Sequence, residues 1–359
     1  MRVHNFNAGP AVLPEDVLLE VQKNLLDYKG SGLSVMEMSH RSAEYEKIIT
    51  EARAALLRIM GLGDDYVALY LQGGASLQFL MIPMNFCAED EVANYIDTGT
   101  WATKAWKEAK KIGKKYHIAA TSADKDFTYI PKTWQLSENP AFLHITTNNT
   151  IRGTEWKIDP DVPAGLPLIA DMSSNFLSRP LDFAKYDLIY GGAQKNIGPA
   201  GAAFVVIRKS LLEKQNPNLP TMLDYKVHLE NDSMFNTPPA FAIYVIGEVL
   251  KWIEAKGGLE AREEDNRQKA KIIYDILDSS DFYRGTVVTE DRSWMNVPFR
   301  LPSEELEKKF IAEAKAKNMI GLKGHRSVGG CRASIYNSLP MNAVETLAQF
   351  MHEFEKTNR

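Results

Sequence analysis

A single lysine, Lys195, lies in a stretch of small residues, YGGAQKNIGPAG (residues 190–201). An apolar run over 188–190 leads into this stretch, and a second one over 204–207 follows it. Most lysines are solvated surface residues, and a glycine-rich segment can be a plain connection. Lys195 therefore indicates chemistry only if other reactive side chains belong to the same site.

Three further positions follow apolar runs and carry groups that suit a ligand. The turn at 72–76, QGGAS, brings Ala75 and Ser76 to a helix start, where backbone amides can bind a phosphate group. Trp101 begins another helix, where its ring can lie flat on a planar ligand. Asp171 directly follows the run LPLIA. Taken singly, these features are more typical of an ordinary turn, a core tryptophan and a capping residue than of a ligand site.

Together they match the requirements of one cofactor, pyridoxal 5'-phosphate. It needs a lysine that binds it covalently, a carboxylate on its pyridine nitrogen, an aromatic ring stacked on it and a phosphate site. Lys195, Asp171, Trp101 and the turn at 72–76 supply these groups. The small residues around Lys195 are expected to leave room for the ring.

Short apolar runs that alternate with amphipathic helical stretches must position these residues. Runs typical of strands are YVALYL, EVANYID, YHIAAT, AFLHITT, LPLIADMSS, YDLIYGG and GAAFVVIRK. The alternation predicts an α/β fold with a mostly parallel sheet, in which ligands bind at the carboxyl ends of the strands.

The helical stretch over 239–258 ends on two glycines, which is a natural helix stop. Beyond it, an amphipathic helix and the strand-like runs SWMNVPFRL and CRASIYN indicate a smaller α+β domain. The predicted division is a large cofactor-binding domain over 16–258 and a small domain formed by 259–359 with the segment 1–15.

Composition excludes several classes of protein. The 359 residues include 42 basic and 46 acidic ones, so a basic surface for nucleic acid or anionic lipid is not expected. Two cysteines provide neither a disulfide framework nor a structural zinc site, and no metal is expected. The motifs of dinucleotide, P-loop, zinc protease and serine hydrolase sites are absent. No run resembles a signal peptide or membrane span, so we expect a cytoplasmic protein.

The sequence also resembles a known family over essentially its whole length. The motifs that carry the resemblance are NFNAGPAVLP, SVMEMSHRS, TGTWATKAWKEAKK, ADMSSNFLSRP, GGAQKNIGPAG, NTPPAFAIY and GHRSVGGCRASIYN, in this order. They are similar to those of the phosphoserine aminotransferases, class V members of the fold-type I pyridoxal phosphate enzymes. The resemblance implies the fold-type I architecture and a homodimer with shared active sites.

The resemblance also implies roles for individual residues. Lys195 forms the Schiff base with the cofactor, Asp171 pairs with the pyridine nitrogen and Trp101 stacks on the ring. Thr150 donates a hydrogen bond to the phenolic oxygen of the cofactor. The cofactor phosphate is held by a set drawn from both subunits: Ala75, Ser76 and Gln194 from one, and Asn236 and Thr237 from the other.

Arginines beside histidines point to an anionic substrate, because a guanidinium binds carboxylate and phosphate with paired donors. Any one of these arginines, taken alone, is equally typical of an ordinary solvent-exposed residue. By resemblance, Arg332 binds the α-carboxylate, and a second set surrounds the distal anion: His40, Arg41, His325 and Arg326. Some family members have arginine where this chain has Ser76, so one cation is missing from the site.

The implied activity is reversible amino transfer between L-glutamate and 3-phosphohydroxypyruvate, giving O-phospho-L-serine and 2-oxoglutarate for serine biosynthesis. The family also acts on a phosphorylated hydroxythreonine in pyridoxine biosynthesis. Two other interpretations remain open at this stage. One is another class V enzyme, such as a cysteine desulfurase, which needs a mobile thiol. The other is an amino-acid binder that kept the fold without catalysis.

Overall fold

The computed structural model describes residues 2–359. The strands are β1 (His4–Asn5), β2 (Tyr66–Leu71), β3 (Val92–Asp97), β4 (Tyr116–Thr121), β5 (Pro140–Thr146), β6 (Leu168–Asp171), β7 (Leu188–Gly192), β8 (Ala203–Arg208), β9 (Arg284–Gly285), β10 (Asn296–Arg300), β11 (Met319–Ile320) and β12 (Cys331–Ser334). The helices are α1 (Glu15–Lys23), α2 (Ala43–Ile59), α3 (Gly74–Phe86), α4 (Thr100–Lys111), α5 (Lys209–Glu213), α6 (Tyr225–Glu230), α7 (Ala240–Ala255), α8 (Gly258–Ser279), α9 (Glu304–Ala316) and α10 (Met341–Asn358).

The main sheet has seven strands in the order β2-β8-β7-β6-β5-β3-β4. The pairs from β7 through β6, β5 and β3 to β4 are parallel, whereas β8 runs antiparallel to both β7 and β2. The predicted α/β fold with a mostly parallel sheet is confirmed.

Helices cover both faces of this sheet, because its strands are apolar on both sides. Along β2, Ala68 and Tyr70 pack into one hydrophobic cluster with α1, α2 and α7. Val67 and Leu69 pack into the opposite cluster with α3 and α4. The alternation fixes the sheet rigidly between two layers, so the carboxyl ends of its strands form a stable platform.

A third hydrophobic cluster lies in the carboxyl-terminal part of the chain. It combines residues from α8, α9 and α10 with residues from the antiparallel strands β10 and β12. The chain's start joins this part, because β1 pairs in parallel with β11 and Phe6 is buried in the third cluster. Helix α8 packs on the first cluster through Leu259 and on the third through residues from 270 onward. The domain boundary at residue 258 stays a prediction.

Within residues 2–359, each helix is too short or too polar to cross a lipid bilayer.

Candidate active site

A cavity of about 150 Å³ opens where the carboxyl ends of β5, β6 and β7 meet the amino-terminal ends of α3 and α4. Seven of the residues that the sequence analysis selected line it: Ala75, Ser76, Trp101, Thr150, Asp171, Gln194 and Lys195. Parallel neighbouring strands bring their carboxyl ends to one edge, which explains why residues far apart in sequence meet here.

Lys195 lies in the turn after β7, with its Nζ donating a hydrogen bond to Oγ1 of Thr150 at 2.8 Å. Burial lowers the pKa of the Lys195 amine to about 8, the charge of Asp171 opposes this shift, and the charge of Arg332 adds to it. A lysine with a lowered pKa has a larger neutral fraction near neutral pH, which is the form that attacks carbonyl carbon. The environment of Lys195 therefore suits a nucleophile.

The glycines near Lys195 have a different role from the one expected. A Cβ atom on Gly191 would lie 2.7 Å from the Phe204 ring, and one on Gly198 would lie 2.5 Å from Cγ1 of Ile246. These glycines thus permit close packing between the turn and the core behind it. The expectation that they leave room for a ligand ring is wrong for both positions.

Asp171 ends β6 and is only 4% exposed. Its Oδ1 accepts a hydrogen bond from the backbone amide of Ser173 at 2.9 Å, so the residue also caps the turn that follows. Burial raises the pKa of Asp171, while hydrogen bonds from Ser173 and the charge of Lys195 act against the shift. A buried carboxylate beside a cavity favours a cationic ligand group.

Trp101 lies in the first turn of α4, and its ring centroid is 5.9 Å from the Nζ of Lys195. Gly99 precedes the helix with φ of 156°, and a Cβ there would lie 2.8 Å from Oδ1 of Asn149. This close approach sets the direction in which α4 starts. Trp101 consequently forms one wall of the cavity.

The turn before α3 has the predicted glycines in the left-handed region, with φ of 80° at Gly73 and 62° at Gly74. Ala75 and Ser76 follow in the first turn of α3, where helix amides lack intrahelical partners. Amides in this position, together with the positive end of the helix dipole, bind anions. This geometry is compatible with the phosphate site expected from the sequence, and the roles of Ala75 and Ser76 stay predictions.

Arg332 approaches the cavity from β12 and is only 8% exposed. Its Nη1 donates to the backbone oxygen of Thr150 at 3.0 Å, while its Nε is buried without a hydrogen-bond partner in residues 2–359. Burial lowers the pKa of this guanidinium. The hydrogen bond to Thr150 links the small carboxyl-terminal sheet directly to the cavity.

The remaining predicted residues do not line this cavity. His40 and Arg41 precede α2, and His325 and Arg326 lie in the segment before β12. Asn236 donates through Nδ2 to Oε1 of Gln72, and the backbone oxygen of Thr237 accepts from Nε2 of Gln72. The roles of these six residues, like those of the cavity residues, stay predictions.

The cavity also contains residues that sequence reasoning did not select. Thr146, Asn148, Ser173 and Ser174 contribute to its lining, and all follow or end β5 and β6. In addition, a Cβ on Gly9 would lie 3.4 Å from Cγ of Lys195, so the amino-terminal segment covers the lysine. For the four polar residues, the signal available in the sequence was their position at or just after the end of a strand.

Comparisons with known proteins fit this geometry. Residues 3–347 match the family model of class-V aminotransferases. A phosphoserine aminotransferase of Desulfosudis oleivorans is 54% identical over 358 residues, which cover 99% of both chains.

Two solved structures are similar to this one. A phosphoserine aminotransferase from Bacillus circulans subsp. alkalophilus superposes with a TM-score of 0.97 at 51% identity, covering 100% of this chain and 99% of that one. A phosphoserine aminotransferase from Trichomonas vaginalis, described as bound to PLP, gives a TM-score of 0.93 at 40% identity, covering 98% and 100%. The chain belongs to the class-V aminotransferase family and is an aminotransferase.

Proposed function

We propose that this chain is a pyridoxal 5'-phosphate-dependent phosphoserine aminotransferase. It transfers an amino group reversibly between L-glutamate and 3-phosphohydroxypyruvate, giving O-phospho-L-serine and 2-oxoglutarate for serine biosynthesis. The observation that carries the proposal is the convergence of Lys195, Asp171 and Trp101 on one cavity with a phosphate cradle. The relatives at 54% and 51% identity support the choice of substrate.

The residues present fit the cofactor. Two polar atoms of cavity-lining residues, Nε1 of Trp101 and Oγ1 of Thr146, are buried and have no hydrogen-bond partner within residues 2–359. Buried polar atoms normally have partners, so these two indicate that the cavity holds a polar ligand. The helix start at Gly74 suits its phosphate, and Asp171 suits its ring nitrogen.

When bound, the cofactor supplies an electron-accepting ring that weakens the Cα–H bond of the amino acid. Lys195 would hold the cofactor covalently through Nζ, and the same Nζ, when free, would accept the Cα proton of the substrate. Asp171 would keep the ring nitrogen protonated, and Thr150 would donate a hydrogen bond to the phenolic oxygen. Trp101 would orient the ring and exclude water from it.

Cysteine desulfurase activity, the alternative within class V, is disfavoured by the two thiols. Cys87 and Cys331 are both buried, and burial raises the pKa of both. A nucleophilic cysteine needs exposure and a lowered pKa. An assay for sulfide release from cysteine tests this alternative directly.

The preference for a phosphorylated substrate gives the first prediction. Arg332 is assigned to the α-carboxylate, which every amino acid has, so discrimination depends on residues such as Arg326. A hydrogen bond to a charged group contributes about 1.5–3 kcal/mol, which is roughly 10- to 150-fold. Arg326→Ala should lower kcat/KM for phosphoserine by this factor. It should leave kcat/KM for alanine within about twofold of the parental value. Arg332→Ala should lower both about equally in single-turnover half-reactions followed by absorbance.

Equal losses for both substrates in Arg326→Ala would contradict this division of roles. If the parent enzyme had the same kcat/KM for alanine as for phosphoserine, the proposed substrate itself would be contradicted.

The proposed homodimer gives the second prediction. Asn236 and Thr237 lie outside the cavity of their own chain and beside Phe235, whose large side chain is 43% exposed. This placement supports the proposal that Asn236 and Thr237 contact the cofactor phosphate bound in a second subunit.

Chains with Lys195→Ala and chains with Asn236→Ala/Thr237→Ala should each be inactive, whereas a hybrid dimer of the two has one intact site. After random exchange of equal amounts, about a quarter of all sites should be intact.

Mass spectrometry of intact dimers confirms that exchange has occurred. Exchange without recovered activity would rule out a cofactor site shared in this way.

A further inference from the structure

Lys104 lies beside the candidate active site without belonging to any role assigned above. It is one helical turn beyond Trp101 on α4, and its side chain is exposed. Its Nζ lies over the Trp101 ring, 4.4 Å from the ring centroid. A cation over an indole face is held by the ring's electrostatic field, so this contact restricts the position of the amine next to the cavity wall.

Two carboxylates close to Lys104 in sequence, one on α4 and one at the end of β3, are engaged with other groups. Glu108, one turn further along the helix, forms an ion pair with Lys111. Asp97 accepts hydrogen bonds from Oγ1 of Thr103 and Nε1 of Trp106. The charge of Lys104 is therefore available to a ligand.

His325, in the segment before β12, lies within electrostatic range of three cations, Lys104, Arg326 and Arg332. Burial lowers the pKa of His325, and the charges of Arg332, Arg326 and Lys104 lower it further. Lys104 and two arginines of the segment 325–332 thus act on the same imidazole, and Lys104 also lies over Trp101, which lines the cavity. A group of cations without a counterion is unfavourable, and a dianion bound between them relieves the repulsion.

We propose that Lys104 is a specificity-determining residue that binds the second anion of the substrate from the large-domain side, opposite His325 and Arg326. This assignment rests on the proposed function and deepens it. Because Lys104 is exposed, water and salt screen its charge, and its effect is smaller than that of a buried arginine.

The chain offers a matched control for this test. Lys107 lies on the same helix, is equally exposed, and has its Nζ 5.4 Å from the centroid of the Trp106 ring. Trp106 stacks on Tyr116 and does not line the cavity. Lys107→Met, like Lys104→Met, therefore removes one positive charge and one contact between a cation and an aromatic ring from α4. It does so away from the cavity.

The experiment compares Lys104→Met, Lys104→Arg and Lys107→Met with the parent holoenzyme in single-turnover half-reactions with phosphoserine and alanine. Lys104→Met should lower kcat/KM for phosphoserine about tenfold and leave that for alanine within about twofold. Lys104→Arg should keep most of the phosphoserine rate, since it keeps the charge. Lys107→Met should change neither rate. Calorimetric titration of inorganic phosphate into the holoenzymes should show about tenfold weaker binding only in Lys104→Met.

Three outcomes would overturn the assignment: unchanged phosphoserine kinetics in Lys104→Met, equal losses for both amino acids, or the same loss in Lys107→Met. Each of these can be obtained while the parent enzyme still prefers phosphoserine, in which case the proposed function stands. A parent enzyme without that preference overturns the proposed function instead.

Discussion

Replacing Lys195 with alanine should abolish amino transfer while leaving the fold intact. The variant loses the amine that is proposed both to bind the cofactor covalently and to accept the Cα proton. Proton transfer by a positioned side chain alone contributes about 10²- to 10⁴-fold, so we expect a fall of at least about 10³-fold. The buried amine makes one hydrogen bond, to Thr150, and its removal should change the melting temperature little.

A second buried lysine provides the control. Lys269 is fully buried, and burial lowers its pKa to about 8, as it does for Lys195. Its Nζ donates to the backbone oxygens of Tyr336 and Leu339, and it does not line the cavity. Lys269→Met should therefore lower the melting temperature and keep the half-reaction rate, the reverse of Lys195→Ala.

Half-reaction rates by stopped-flow absorbance and melting curves by circular dichroism separate the two effects. Transamination by purified Lys195→Ala at anything near the parental rate would show that another group is the base. A shifted pKa alone does not distinguish these two lysines, whereas their positions relative to the cavity do.

The sequence was sufficient to predict which strand ends meet at the candidate site. In a parallel sheet, residues that directly follow apolar runs meet at one edge, and Thr146, Asp171 and Tyr190 are indeed register partners across β5, β6 and β7. The sequence alone therefore predicted that Lys195 and Asp171 lie at one cavity, as they do. The proposal of the cofactor followed from the combination of residue types.

Other features could not be predicted, for physical reasons. An apolar run does not encode strand direction, so the antiparallel β8 was not foreseen. The role of Gly191 depends on the Phe204 ring of the neighbouring strand, and only tertiary packing shows that contact. The contact of Gly9 with Lys195 joins positions far apart in sequence, without a local pattern that indicates it.

Two residues assigned by resemblance alone lie apart from the cavity of the single chain. Asn236 and Thr237 form hydrogen bonds with Gln72 outside this cavity. A residue that acts in the active site of a partner subunit need not lie near the active site of its own chain. Their positions are accordingly compatible with the proposed shared site, which the hybrid dimer tests.

The surroundings of Asp171 make its negative charge, in addition to its shape, important for binding a cationic group. It is buried at the end of β6, and the Ser173 amide and the charge of Lys195 counteract the rise in pKa that burial causes. A carboxylate kept in a buried position stabilises a nearby cation strongly, because little water screens the interaction. Bound cofactor presents such a cation when its ring nitrogen is protonated.

Asp171→Ala should lower the rate of Cα proton removal far more than it lowers cofactor occupancy. Breaking a buried charge pair costs about 3–5 kcal/mol, so the half-reaction should slow roughly 100-fold to several thousand-fold. The phosphate cradle at Gly74 to Ser76 and the covalent bond to Lys195 should still retain the cofactor. Asp171→Asn keeps the shape without the charge and should be nearly as slow. A cofactor analogue methylated on the ring nitrogen, which is permanently cationic, should restore part of the rate in both variants. Occupancy by absorbance and rates by stopped flow test this, and normal half-reaction rates in either variant would exclude the charge of Asp171 from catalysis.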